Sequence, residues 1–142
     1  MKTFLYRGDP GNAASFALLL IRLIAGLAFM RHGFTKIQDP FGWMGQASKM
    51  PHVLQALAAV SEFGGGLGWI LGLLVPVASL GILSTMSVAV RTHLGRGQPF
   101  VGKGGSYELA LVFASIAILF LSMGPGRYSL DAALFGRKKK KR

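Results

Sequence analysis

Arg22, His32, Lys36, Glu62, His93, Tyr107 and Glu108 are the residues of this chain whose side chains could do chemistry, and all lie in or at the ends of long apolar segments. A charge near the centre of a bilayer costs several kcal/mol, so such residues face a protein interior and mark function by default. Histidine titrates near neutral pH, and carboxylates in apolar sites hold their protons more tightly. The set could therefore relay protons, or bind a polar headgroup such as a quinone carbonyl through histidine and arginine donors. A metal site is the weaker reading. His32, His93, Glu62 and Glu108 are suitable ligand types, but no close-spaced pair such as HxxxH brings two of them together.

Composition says what must hold these groups. The 142 residues are 51% hydrophobic, with a mean hydropathy of +0.47, too oily for a soluble domain of this size. Lys and Arg number 16 against five Asp and Glu, giving a net charge of +11. Much of that excess sits at residues 137–142, a basic cytoplasmic tail suited to anionic lipid. Nucleic-acid binding is excluded as a reading because no soluble domain remains to enter a groove. There is no cysteine, so thiolate catalysis and zinc–thiolate sites are excluded within the chain.

Apolar runs at about 13–36, 53–74, 76–93 and 106–123 approach the roughly 20 residues needed to cross the hydrocarbon core. They predict an all-α membrane protein, a four-helix transmembrane bundle within residues 1–136. The first run is too long and too interrupted for a secretion signal and is read as an uncleaved span. Asp39-Pro40, Pro76 and Gly124-Pro125-Gly126 punctuate the runs. A short interfacial helix is expected after Pro40, with Trp43 at headgroup level. Four spans put both termini on one side. Lys2, Arg7 and residues 137–142 then make that side cytoplasmic by the positive-inside rule.

Depth follows from the helical rise. Arg22 and Glu62 each fall roughly 13 Å inside their spans, near the midplane, and are expected to pair. Such a bridge could fix helix register alone or take part in function. His32, Lys36, His93, Tyr107 and Glu108 cluster toward the external ends, which predicts a polar pocket opening outward. Gly64, Gly68 and Gly72 recur every four residues, Gly65 and Gly66 widen the stripe, and together they predict a smooth ridge for helix packing, within the bundle or between copies.

These segments resemble the DoxX family of small four-span bacterial membrane proteins. The resemblance is carried by RLIAGLAFMRHGFTKI at 22–37, EFGGGLGWILGLLVPVA at 62–78, YELAL at 107–111 and GPGRYSLD at 124–131. It implies a helical bundle in the bacterial cytoplasmic membrane. The positions carried over are Arg22, His32, Gly33, Lys36, Glu62, Gly65, Glu108, Gly124 and Asp131, none with an established catalytic role. It also implies association with redox systems, as a membrane subunit or accessory of a quinone-linked oxidoreductase. With no flavin, haem or nucleotide motif here, electron transfer would need a bound quinone or a redox partner subunit. A small proton-coupled transporter and a non-catalytic anchor recruiting a partner are the alternatives.

Overall fold

The computed structural model describes residues 5–6 and 9–136, which form an antiparallel bundle of helices. Helix α1 spans Asn12–Gln38, α2 His52–Leu71, α3 Val75–Gly95 and α4 Glu108–Met123, and a single-turn helix α5 spans Leu130–Phe135. The expected runs match the first four within a few residues. Lys2, Arg7 and residues 137–142 lie outside the described residues.

Three of the helices, α1 to α3, are long and apolar enough to cross a membrane. Helix α4 has 16 residues, and at ~1.5 Å rise per residue it falls short of the hydrocarbon core. Ile24, Leu27, Val60, Val77 and Ile118 point out of the bundle, where only lipid suits them.

Local sequence explains the breaks. Helix α1 stops at Asp39 because the residue before a proline is pushed out of the helical region. Gly72, at φ +66°, ends α2 in a left-handed turn, with Gly72 N–H bonded to Trp69 O and Leu73 N–H to Gly68 O. Leu74 then also takes a positive φ of 50°, uncommon for a residue with a branched side chain. Asp131 holds this hairpin in place. Its carboxylate accepts Leu74 N–H at 2.8 Å and Val75 N–H at 2.9 Å, capping α3, while its own N–H donates to Gly72 O. The residues after Gly124 thus do more than end a span, which the sequence reading did not anticipate.

The segment Asp39–Met50 is a series of turns, not the expected interfacial helix. It folds back onto the start of α2. Buried Gln55 donates to Met50 O and accepts from Met44 N–H, while Trp43 Nε1 donates to Gln55 O. The His52 ring bonds Phe41 O. These side-chain bonds satisfy loop backbone that a further helical turn would otherwise have satisfied.

The core centres on Trp69. Its ring meets Phe29 edge-on at 5.5 Å and Phe120 at 4.9 Å, and its Nε1 donates to Ser79 Oγ. Leu18, Val75, Ile82 and Ala117 complete the packing. Helices α1 and α2 approach backbone to backbone. A Cβ on Gly66 would lie 2.7 Å from Gly26 O and 2.8 Å from Met30 N, and one on Gly33 would lie 2.5 Å from Phe63 N. The glycines at the α1–α2 contact are Gly26, Gly33 and Gly66. Of the expected ridge, Gly68 packs against Leu73 and Ala78 and Gly72 against Ser129 and the Arg22 guanidinium, whereas Gly64 meets only the Val60 side chain of its own helix.

At the end of the bundle opposite the Asp39–Met50 turns, Arg127 bonds Asn12 and pairs with Asp9. That contact fixes the start of α1 beside the segment after α4. The Asp9 hydrogen bond and charge raise the Arg127 pKa above its ordinary value.

Candidate functional site

The expected Arg22–Glu62 bridge is not formed. Arg22, 1% exposed, turns toward the end of the bundle where α2 and α4 finish. Its Nε donates to Trp69 O at 2.8 Å, its Nη1 to Pro125 O at 2.7 Å and Tyr128 O at 3.0 Å, and its Nη2 reaches Ile70 O at 3.4 Å. Helix α2 ends there and the Gly-Pro-Gly turn exposes its own carbonyls. The last C=O groups of a helix carry the negative end of its dipole, and Trp69 O takes the guanidinium beside its bond from Gly72 N–H. Asp131, the nearby counter-charge, spends its oxygens on the α3 N-terminus instead. Depth alone could not reveal this, because a long arginine side chain reaches well away from its Cα.

Glu62 pairs with Lys36. The ammonium lies 2.7 Å from both carboxylate oxygens, bridging the last turns of α1 to the middle of α2. Glu62 is 4% exposed. Lys36 also lies over the Trp43 ring, 4.4 Å from its centroid, a cation–π contact. Trp69, whose carbonyl holds Arg22, is seven residues along α2 from Glu62, about 10 Å of helix. Between the two polar centres stand the Gly66–Gly26 contact and Phe29.

A cavity of about 410 Å³ opens beside the Lys36–Glu62 pair, between α2 and α3 at the end of the bundle that carries the Asp39–Met50 turns. Its size falls within the roughly 300–1,000 Å³ range of small-molecule sites. Trp43, Met44 and Met50 cover it, and Ser61, Thr85, Thr92 and His93 add polar groups to its walls. Leu54, Leu57 and Val88 form its outer margin and are 50–56% exposed, so the cavity continues onto the lipid-facing surface as a groove. The small residues Ala58 and Ala89 leave space for it, and Gly81 lets α3 approach Ser61 of α2.

Of the seven candidate residues, Lys36, Glu62 and His93 line this cavity. His93 Nδ1 meets Gln98 Oε1. His32 and Glu108 are exposed and stand apart from it, and Tyr107 packs on Phe100, with ring centroids 5.6 Å apart. Sequence reasoning missed Trp43 as a lid, Gln55 as its anchor and the Ser/Thr face of α3. Ser84, Thr85, Thr92 and His93 recur at helical spacing among apolar residues, a polar stripe that could have been read. Among the described residues no group of three or more His, Cys, Asp or Glu could hold a metal ion.

An all-helical membrane protein with a part-buried ion pair at the head of an apolar-margined groove is the class these features define. The DoxX family model matches residues 17–95, more than half of the chain, and the protein belongs to the DoxX family. The match covers most of α1 and all of α2 and α3, and with them both the Lys36–Glu62 pair and the groove. The motifs at 107–111 and 124–131 lie beyond it. No curated protein and no solved structure matches the chain.

Proposed function

We propose that this protein is a membrane subunit or accessory of a quinone-linked oxidoreductase system, and that the groove between α2 and α3 holds the quinone headgroup. The observation that carries the reading is a polar end and an apolar margin in one cavity. Lys36 and Glu62 offer a donor and an acceptor to a ring carbonyl or hydroxyl, and Leu54, Leu57 and Val88 lead outward to where an isoprenoid tail would lie in lipid. The protein supplies position and hydrogen bonds; electrons come from a redox partner subunit.

In this reading the chain is a multi-pass protein of the bacterial cytoplasmic membrane with both termini in the cytoplasm and the groove toward the external side. Orientation rests on Lys2, Arg7 and residues 137–142. The described loops at the groove end carry Lys49, Arg96 and Lys103, which oppose it. The proton-coupled transporter reading is less favoured, because Arg22 is committed to backbone carbonyls and packed core separates it from Glu62.

The test is the quinone content of the full chain, extracted from its native membrane in mild detergent. Near-stoichiometric quinone, reduced several-fold by Ala89→Leu, which adds bulk to the α3 wall of the groove, supports the reading. Absence of quinone from the intact protein, together with no redox enzyme captured by it, contradicts it.

A further inference from the structure

The charges at the head of the groove are already balanced. Both oxygens of Glu62 take a hydrogen bond from the Lys36 ammonium, whose other neighbour is the Trp43 ring. Along the α3 wall the hydroxyls of Ser84, Thr85 and Thr92 donate to Leu80 O, Ile82 O and Val88 O of their own helix. They present oxygen lone pairs to the groove and no charge. His93, the other titratable group on the walls, is engaged by Gln98. An anionic headgroup arriving here must therefore pull Lys36 from Glu62 or find no free counter-charge, and a cationic one meets the same obstacle with the roles reversed. Glu62 is buried and Lys36 half-buried, so stranding either charge is unfavourable. An uncharged headgroup needs neither. Its hydroxyl can donate to a carboxylate lone pair and its carbonyl can accept the remaining ammonium proton.

Resting on the groove reading above, we infer that the site selects its occupant by charge: it takes amphiphiles with an uncharged oxygen-bearing ring and rejects ionised headgroups, those of anionic phospholipids included. Lys36 and Glu62 are the specificity-determining residues. Each neutralises the other, so the net-charged phospholipid of the surrounding bilayer does not fill the groove.

The experiment uses the full chain in nanodiscs of zwitterionic lipid, with empty nanodiscs as the partition control. The probes are 4-decylbenzyl alcohol, ionised 4-decylbenzoate and 4-decylbenzylammonium, which differ only in headgroup charge, and a benzoquinone bearing a decyl tail. The wild-type protein is expected to bind the alcohol saturably and at least tenfold more tightly than either ion. In Glu62→Gln the unpaired ammonium should shift the preference at least tenfold toward the benzoate, and Lys36→Gln should shift it toward the ammonium probe. The wild-type order alone decides if a variant does not fold. Equal binding of the three headgroups, or tighter binding of the benzoate, overturns the charge selection. If the decyl benzoquinone still binds in that case, the groove reading stands. If no probe binds, both fall. If the alcohol binds in the stated order and the benzoquinone does not, charge selection stands and the quinone reading falls.

Discussion

Lys36 Nζ lies 2.7 Å from both carboxylate oxygens of Glu62, and this pair, not Arg22 with Glu62, carries charge across the α1–α2 interface. The two residues come from helices whose backbones touch at Gly33 and Phe63. That close approach lets the Lys36 side chain reach Glu62 from the same face of α1.

Removing one partner should therefore cost more than removing both. Glu62→Gln is expected to destabilise the protein by about 1–3 kcal/mol, discounted because Lys36 keeps some access to solvent. The double change Lys36→Met with Glu62→Met should recover most of the loss. Thermal unfolding in detergent, read as a double-mutant cycle, gives the coupling. The same cycle run on Arg22 and Glu62 should be additive.

Arg22 is expected to be intolerant even of lysine. An ammonium cannot present the planar fork that serves Trp69 O, Pro125 O and Tyr128 O together, so Arg22→Lys should cost about 2–4 kcal/mol. Unfolding in detergent checks this. A near-neutral result would show that the carbonyl cage contributes little.

The span lengths and breaks were legible because they rest on apolar runs, prolines and glycines that act locally. The partners of the charges were not. Arg22 is held by carbonyls from residues more than a hundred positions away, and backbone groups leave no trace in side-chain spacing. Sequence marks Lys36 as a candidate, but depth alone matches Glu62 to the arginine at the same level. Only the rotation of α1 against α2, set by Gly26, Gly33 and Gly66, decides which cation the carboxylate meets.

The glycines separate two stripes of one helix. Gly66→Ala places a methyl group within 2.8 Å of α1 backbone and should destabilise by about 1–3 kcal/mol. Gly64→Ala meets nothing closer than 3.9 Å and should be neutral or stabilising by about 0.5–1 kcal/mol. Melting temperatures of the two variants, measured side by side, show whether Gly66, and not Gly64, carries a close helix contact.

Asp131→Asn removes one of the two carboxylate oxygens that cap Leu74 and Val75. It should cost about 1–2 kcal/mol and raise amide hydrogen exchange in the α2–α3 turn more than elsewhere. Hydrogen exchange by mass spectrometry resolves that local opening.

Photolabelling with an azidoquinone bearing a decyl tail, in nanodiscs with the full chain, tests the groove most directly. Labelled peptides are expected to come from 54–62 on α2 and 81–93 on α3, with labelling displaced by unmodified decyl benzoquinone. Labelling spread over the outward faces of α1 and α4, or insensitive to the competitor, would contradict a quinone headgroup seated beside Lys36 and Glu62.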